Sequence, residues 1–506
     1  MTLAVDPVDL AVLIAYLLAV VVFGLWIGRG VRNMSTYLLG NRDLPWWAIL
    51  GSIVATETST ATFLSVPGLS YAADGDLRFL QLAFGYIVGR LLVVWFLLPL
   101  YFQGRIFTAY EVLEKRFGGA TKQVASIVFL VARNLGDGLR LFLTAIVLEK
   151  VVGVPLPACV IAIGLATMVY TYFGGMTAVV WNDCLQFVVY MLGGTIAAAV
   201  IIYRLPGGVE QVMEYGHATE RFRLFDFQGG LSDPFTFWAG LIGGMFLTLG
   251  THGTDQMMVQ RYLCASNERQ AGWALASSGF VVCGQFALFL LLGVGLACFY
   301  HQFPPANLFE TNDHVFATFI VSELPAGIGL IGVVLAAVFA AAMSTLSSSL
   351  NSSASSAVND LCAPRLGRAS DDPVLLRLSQ FFTVAFGGIQ IVVAIAASHV
   401  TQSVVSDALA IAGFSAGLLL GVFSLALFVP RADQRSALIG LVCGLVCLIS
   451  VKFALPWLGQ FYSAKFSWVP FNLAWPWYPV IGSLATYAGG WCASRITGSS
   501  NHEVPN

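Results

Sequence analysis

The chain of 506 residues is 58% hydrophobic and only 10% charged, whereas soluble domains carry about 25% charged residues. Water is therefore not the main solvent of this protein. The formal net charge is −2 and no long block of like charge occurs, so nucleic acid is excluded as an expected partner.

Apolar segments recur along the whole chain, and each is long enough to cross a hydrocarbon core of about 30 Å. The pattern predicts about thirteen transmembrane helices. They lie at 9–28, 46–72, 77–102, 123–150, 154–173, 179–203, 235–259, 272–299, 326–358, 375–398, 404–429, 435–455 and 477–497. We interpret the first segment as a retained span and not a signal peptide, because no cleavage site follows it. The polar tail 498–506 is expected to be disordered.

Basic residues separate into two sets of alternate loops. The richer set includes Arg29, Arg32, Lys115, Arg116 and Arg261. Because short cytoplasmic loops are enriched in Lys and Arg, this set is predicted to face the cytoplasm. An odd number of spans then places the N-terminus outside and the C-terminus inside. We expect a multi-pass protein of the cell (inner) membrane that contacts the lipid bilayer and works as a monomer.

Two of the predicted spans carry polar or glycine-rich interruptions. The span 46–72 contains ATETSTAT at positions 55–62, and the span 235–259 contains GTHGTD at positions 250–255. Interrupted helices at corresponding positions of two halves indicate a binding site in an inverted-repeat transporter. The alternative is that glycine and threonine only allow close helix contact. Glu57 favours the first interpretation, because a carboxylate at mid-membrane is costly without a partner.

These interruptions predict the fold class. We expect an all-α polytopic membrane protein with a 5+5 inverted repeat, in which the first helix of each repeat is discontinuous. The repeats would span 46–203 and 235–429. An extra helix at 9–28 precedes them, and two C-terminal helices at 435–497 follow, all within a single transmembrane domain.

The ninth predicted span carries a row of hydroxyl groups. Ser344, Thr345, Ser348 and Ser352 share one helical face. Together with backbone carbonyls from the interrupted span 46–72, these oxygens could replace the hydration shell of a sodium ion. The alternative is a packing face of small residues.

Other charged residues fall inside or beside apolar spans. Asp183 could cap the start of the sixth span or serve an ion pathway. In the fourth span, Asp137 can neutralise either Arg133 or Arg140 at helical spacing. The remaining arginine would be a surplus cation that faces an anionic solute, unless the group is a structural ion pair near the membrane edge.

Five motifs in order resemble those of the sodium:solute symporter family. They are YLLGNRDL at 37–44, TAYEVLEKRFG at 108–118, YTYFGGMTAVVWNDCLQ at 170–186, TDQMMVQRYL at 254–263 and AAAMSTLSSSLNSSASS at 340–356. The resemblance is clearest over residues 9–430. It implies a leucine-transporter-type fold, alternating access, and symport of a small organic solute with Na⁺ as the coupling ion and no cofactor.

The resemblance also implies site residues. The main sodium site would use Ala55, Thr58, Ala341, Ser344 and Thr345, and a second sodium site would use Asp183, Ser344, Ser347 and Ser348. The solute pocket would be lined by Glu57, Ser59, Thr62, Gln81, Phe84, Thr248, Thr251 and His252, with Arg133 or Arg140. Family members carry Asp or Asn where this chain has Glu57. The arginines favour a carboxylate as the solute.

Three alternatives to sodium symport remain open from the sequence. The first is a proton-coupled or sodium-independent carrier, in which Glu57 would titrate. The second is a solute sensor that binds without transport. The third is a membrane enzyme, which is disfavoured because the chain contains no HExxH motif.

Overall fold

The computed structural model describes residues 6–104, 106–305, 309, 311–312, 314–367, 372–397, 404–462 and 472–497. Within this part of the chain the protein is helical, and its only β-type contact is an isolated bridge between Leu44 and Ala265. The predicted tail 498–506 and residues 463–471, between the last two predicted spans, lie outside the described residues.

The described residues of the first half of the chain form ten α-helices. They are α1 (Pro7–Ile27), α2 (Met34–Leu39), α3 (Trp46–Glu57), α4 (Thr60–Tyr71), α5 (Gln81–Leu92), α6 (Leu98–Phe102), α7 (Glu111–Phe117), α8 (Gly119–Val152), α9 (Leu156–Arg204) and α10 (Gly208–Ala218). A π-helical turn at Val93–Leu97 joins α5 to α6.

Eleven α-helices follow among the described residues of the second half. They are α11 (Gly244–Gly253), α12 (Gln256–Tyr262), α13 (Glu268–Gln302), α14 (His314–Ser322), α15 (Leu330–Ser356), α16 (Ala363–Leu366), α17 (Pro373–Ala397), α18 (Val404–Phe428), α19 (Gln434–Ile449), α20 (Leu455–Tyr462) and α21 (Trp477–Thr497). Further π-helical turns precede α11, α16 and α20.

The predicted interruption in the second span is confirmed. Helix α3 ends at Glu57, Thr58 and Ser59 are extended, and α4 resumes at Thr60 with a bend of 60°. The run of threonine and serine explains the break, because β-branched and hydroxyl side chains favour non-helical backbone.

The second predicted interruption is confirmed as well. Helix α11 ends at Gly253, and α12 begins after Asp255. The Asp255 side chain accepts a hydrogen bond of 2.8 Å from the backbone N–H of Met257, so it caps the new helix.

The 49-residue helix α9 is divided by a kink at Gly175, where φ is 53° and ψ is −151°. A Cβ atom at this position would lie 2.4 Å from the carbonyl oxygen of Tyr37, so only glycine fits both the backbone and the space. The kink falls inside the YTYFGGMTAVVWNDCLQ motif and separates the two spans predicted there.

Helix α15 is the central helix of the protein. It packs against α9, α1, α8, α17 and α3. In its most apolar stretch 89% of the residues are buried, compared with 17% in α1. The exposed faces of outer helices carry large apolar side chains such as Leu18, Val22 and Phe381, as expected where the solvent is lipid.

Eight helical segments of the described chain are long and apolar enough to cross a membrane, and the bent pair α3–α4 makes a ninth. The number of about thirteen spans therefore stays a prediction. The all-α, multi-span class and the two discontinuous helices are confirmed.

Candidate functional site

The helix break after α3 lies against the middle of α15. The Ser344 hydroxyl donates a hydrogen bond of 2.9 Å to the carbonyl oxygen of Ala55, and the Thr345 hydroxyl donates one of 3.0 Å to the carbonyl oxygen of Thr56. Both carbonyls belong to the last turn of α3, which has no following helical turn to satisfy them.

The carbonyl oxygen of Ala341 completes this group of oxygens. It lies 3.2 Å from the Ser344 hydroxyl and 3.4 Å from the Thr345 hydroxyl. All of these residues are buried. The group therefore combines hydroxyl and carbonyl oxygens at mutual distances of about 3 Å, which is a donor set suited to a hard cation.

Thr58 differs from the other predicted members of the main site. Its hydroxyl donates to the carbonyl oxygen of Val54 at 2.9 Å and accepts a hydrogen bond of 2.6 Å from Gln285 of α13. The side chain thus fastens the break to α13. The backbone carbonyl of Thr58, and not its hydroxyl, would therefore be the group left for an ion.

Asp183 lies beside this oxygen group and is completely buried in α9. Its Oδ2 atom accepts hydrogen bonds from the hydroxyls of Ser52 at 2.6 Å, Thr56 at 3.2 Å and Ser348 at 3.4 Å. These three hydroxyls belong to α3 and α15, and Asp183 is not an exposed cap at the membrane edge. The Ser347 hydroxyl donates to the carbonyl oxygen of Ser344 at 3.2 Å.

Arg261 of α12 pairs with Asp183, which corrects the prediction that this arginine lies in a cytoplasmic loop. Its side chain is fully buried. Its guanidinium lies 3.2 Å from Asp183 Oδ2 and also donates to the hydroxyls of Thr56 and Ser348. A hydropathy pattern alone cannot distinguish a buried charge at the end of a broken helix from a loop charge.

The arginines of α8 are both paired, which corrects the expectation of a surplus cation. Arg140 donates to Asp137 at 2.7 Å, and Arg133 forms a close ion pair with Asp255 while lying 3.7 Å from Asp137. Asp255 supplies the second carboxylate, and sequence spacing could not reveal it because it comes from another helix. The four groups together are electrically neutral.

Two cavities lie beside these arginines. The arginine cavity is lined by Phe129, Ala132, Arg133, Gly136, Asp137, Arg140, Thr251, Asp255, Ala412 and Ser415. The Ser59 cavity is lined by Ser59, Thr60, Arg140, Leu141, Thr144, Ala341, Ala342, Thr345 and Leu346. Arg140 belongs to both cavities, whereas Arg133 lines only the first.

Comparison with known proteins gives this geometry its context. The model of the "Sodium:solute symporter family" matches residues 37–444. This chain belongs to the sodium:solute symporter family. Members of this family couple solute transport to Na⁺, so the protein is a symporter and not an enzyme, and Na⁺ is its coupling ion.

Three relatives show how far the similarity extends. The human sodium/iodide cotransporter is 30% identical over 86% of this chain and 68% of its own length. The sodium/sialic acid symporter NanT of Aliivibrio fischeri is 29% identical over 87% of each protein. A solved structure of a substrate-bound, outward-open Na⁺-coupled sialic acid symporter is 26% identical, with a TM-score of 0.85 over 97% of this chain and 98% of that one. Such structural neighbours carry the leucine-transporter-type fold.

In this symporter, Glu57 belongs to a cluster that joins both broken helices. Its carboxylate forms a close ion pair with Arg90 of α5 and lies 3.6 Å from His252 Nε2 of α11. Arg90 is fully buried and also donates to the Ser278 hydroxyl of α13 at 2.7 Å. The sequence indicates that Glu57 needs a partner, but no local signal identifies Arg90, which lies within the apolar span 77–102.

Gln81 and Phe84 face the loop between α10 and α11. Gln81 donates to the carbonyl oxygen of Phe235 at 2.8 Å and accepts from the backbone N–H of Asp226 at 3.1 Å. The Phe84 ring stacks on Phe225 with centroids 6.0 Å apart. Neither side chain lines the two cavities, so the structure gives both residues a role in loop packing.

The other predicted pocket residues are divided between the cavities and helix packing. Ser59 and Thr251 each line one cavity, as described above. Thr248 is buried against α5. A Cβ atom added to Gly89 of α5 would lie only 3.0 Å from the Cβ atom of Thr248. Thr62 is partly buried in α4 and lines neither cavity.

Proposed function

We propose that this symporter carries a small organic solute that bears a carboxylate, together with Na⁺, by alternating access. The observation that supports the proposal is the position of Arg140. Its side chain is 24% exposed, and within the described chain its guanidinium donates only to Asp137. The remaining N–H groups are available to a ligand in either cavity.

A carboxylate would gain charge-assisted, bidentate hydrogen bonds from these N–H groups. Asp137 keeps the arginine compensated while no solute is bound, because an unpaired charge inside a membrane protein is costly. A solute carboxylate could share or take over this pairing. Such an exchange is possible because the group of two arginines and two aspartates is neutral, so it stays stable while no solute is bound. An unpaired arginine would lack this stability.

The Ser59 cavity provides a physical route for coupling. Ala341 and Thr345 line this cavity and also belong to the group of oxygens proposed for the main sodium site. A solute bound at Arg140 would therefore contact the residues that hold the ion. Each ligand then favours the arrangement that the other needs, and the coupling is reciprocal.

Charge makes the number of sodium ions important for an anionic solute. A potential of about 100 mV contributes roughly 2.3 kcal/mol per charge, and a tenfold sodium gradient contributes about 1.4 kcal/mol. With one Na⁺ the charge of a monoanion cancels, so the solute is concentrated only about tenfold. A second Na⁺, bound at Asp183, would leave one net positive charge moving with each solute. The membrane potential would then also drive uptake.

The proposed arrangement in the membrane follows from the charge pattern. The repeats would comprise residues 46–203 and 235–429, with the N-terminus outside and the C-terminus in the cytoplasm. The loop residues Arg29, Arg32, Lys115 and Arg116 support this orientation through the positive-inside rule. We place the protein in the cell (inner) membrane, within the lipid bilayer and as a functional monomer.

The first experiment is thermal stabilisation of the detergent-purified protein by a panel of solutes, each tested in sodium and in potassium buffer. A carboxylate that raises the melting temperature only in sodium, and not in the Arg140→Ala variant, would support the proposal. Stabilisation that is the same in both buffers would oppose sodium coupling and favour a proton-coupled carrier or a sensor. Stabilisation by neutral solutes alone would oppose the carboxylate assignment.

A further inference from the structure

One carboxylate oxygen of Asp137 in α8 accepts no hydrogen bond from the described part of the chain. The residue is completely buried. Its Oδ1 atom accepts a hydrogen bond of 2.7 Å from Arg140, whereas Oδ2 is the unpartnered oxygen and lies 3.7 Å from the Arg133 guanidinium. An unsatisfied acceptor on a buried carboxylate is unfavourable. The Oδ2 atom therefore marks a position at which a ligand can donate a hydrogen bond.

The arginine cavity, which Asp137 lines, presents further acceptors. Thr251 of α11 and Ser415 of α18 line it as well. The Thr251 hydroxyl donates to the carbonyl oxygen of Leu247 at 3.0 Å, and the Ser415 hydroxyl donates to that of Ala412 at 3.1 Å. Because each hydroxyl proton is used within its own helix, the two hydroxyl oxygens can only accept. The cavity therefore suits a ligand group that carries several hydrogen-bond donors.

The second carboxylate of this cavity is already occupied. Asp255 Oδ1 accepts the backbone N–H of Met257 at 2.8 Å, and Oδ2 forms the close ion pair with Arg133. Of the two aspartates that line the arginine cavity, Asp137 is therefore the one with an oxygen available to a ligand.

The charges around Asp137 decide which kind of donor fits. When a solute carboxylate takes over the pairing with Arg140, Asp137 loses the guanidinium that lies 2.7 Å away. A buried carboxylate without its partner is strongly unfavourable. A solute hydroxyl would supply a hydrogen bond but no charge, and a free metal cation would be repelled by Arg133 and Arg140. An ammonium group in the same molecule compensates Asp137 while the solute carboxylate compensates Arg140.

We propose that the solute is a zwitterionic α-amino acid, whose carboxylate pairs with Arg140 and whose ammonium group binds Asp137 Oδ2, with Thr251 and Ser415 as further acceptors. This inference rests on the proposed function. It adds Asp137 as a solute-binding residue that selects an amino acid over carboxylates that lack the ammonium group.

A zwitterionic solute also changes the energetics of coupling. The solute carries no net charge, so one Na⁺ moves one positive charge with each solute molecule. A membrane potential of about 100 mV then contributes about 50-fold to accumulation, in addition to about tenfold from a tenfold sodium gradient. The main sodium site alone is then sufficient for steep uptake.

The first test compares solutes that share a carbon skeleton. Each common amino acid is tested with its α-hydroxy analogue and with the acid that lacks both groups, for example alanine, lactate and propionate. In sodium buffer, at least one amino acid should raise the melting temperature of the detergent-purified wild type at a concentration about tenfold below that required for its two analogues. Equal or better stabilisation by the analogues, or no stabilisation by any amino acid, would overturn the inference. This comparison needs no variant, so it stands even where a substitution prevents folding.

The second test changes the specificity through Asp137. Asp137→Asn removes the charge that the ammonium group needs and leaves Arg140 for the carboxylate. The preference for the amino acid over the unsubstituted acid should therefore fall about tenfold or more. Asp255→Asn is the matched control, because it alters a carboxylate of the same cavity and should keep the wild-type preference. A wild-type preference in Asp137→Asn would overturn the inference.

Failure of this inference is distinguishable from failure of the proposed function. Suppose that carboxylates without an ammonium group stabilise the protein best, only in sodium, and not in Arg140→Ala. The inference is then wrong while the proposed function stands. Stabilisation that is independent of sodium would instead refute the proposed function itself.

Discussion

The Arg261 guanidinium lies 3.2 Å from the Asp183 carboxylate, and both side chains are completely buried. Asp183 belongs to α9 in the first predicted repeat, and Arg261 belongs to α12 in the second. The ion pair therefore connects a helix of the first predicted repeat with a helix of the second. Separating them would leave two uncompensated charges in a low-dielectric interior.

Replacing one partner of this pair should lower the stability of the protein far more than replacing both. Arg261→Met leaves Asp183 uncompensated and should lower the free energy of unfolding by about 3–5 kcal/mol. Asp183→Asn combined with Arg261→Met should recover most of this loss. Melting temperatures of the two single variants and the double variant in detergent form a double-mutant cycle. Additive losses would show that the two residues do not act as a pair.

The main sodium site can be tested through its two hydroxyl groups. Ser344→Ala and Thr345→Ala should each raise the Na⁺ concentration for half-maximal uptake about 5- to 10-fold, which corresponds to the loss of one oxygen ligand. The amount of protein in the membrane should not change. Ser352→Ala is the control, because among the described residues its hydroxyl bonds only within α15, at 2.8 Å to the carbonyl oxygen of Ser348 and 3.1 Å to that of Ser349. If the sodium dependence of uptake is unchanged in both test variants, the proposed main sodium site is wrong.

Local sequence signals predicted the helix breaks and the hydroxyl row of α15, because each is a departure from an apolar pattern within a few residues. The charge pairs were not predictable in this way. Glu57 meets Arg90, Asp183 meets Arg261, and Arg133 meets Asp255 only after distant helices pack. Composition shows that a charge in the membrane needs a partner, but the packing of the helices decides which one it meets.

The two arginines of α8 should differ in function. Arg140→Lys removes the planar donor group from both cavities and should raise the solute concentration for half-maximal uptake about 10-fold or more. Arg133→Lys is the matched comparison. Its main effect should be on stability, because Arg133 pairs with Asp255 across the break between α11 and α12. Equal effects of the two variants on solute affinity would oppose the special role of Arg140.

Glu57, together with Arg90 and His252, should hold the break after α3 in the conformation that binds the ion. Arg90→Met should weaken sodium activation of uptake, because Glu57 adjoins the turn whose carbonyls face Ser344 and Thr345. Adding Glu57→Gln to Arg90→Met should restore part of the lost stability, since it removes the unpaired carboxylate. The measurement is sodium half-saturation together with melting temperature. A proton-coupled carrier would instead lose its pH dependence in Glu57→Gln alone.

The loop between α10 and α11 should respond to acid through Asp226. The backbone N–H of Gln228 lowers the pKa of this carboxyl, and the charges of Arg223 and Arg78 act in the same direction. The Asp226 carboxylate lies 2.9 Å from Arg78 and 3.0 Å from Arg223, while Asp76 and Asp233 share Arg78.

Because the pKa of Asp226 is lower in the ordered loop, the ionised carboxylate stabilises the loop above the ordinary aspartate pKa of about 3.9. This stabilisation is lost as the pH falls through the lowered value. Hydrogen exchange of the loop should therefore stay slow from neutral pH down to about pH 4 and then accelerate, after correction for intrinsic exchange. Asp226→Asn should exchange faster at neutral pH and show a smaller change on acidification. An identical acid transition in the variant would assign the effect to Asp76 or Asp233.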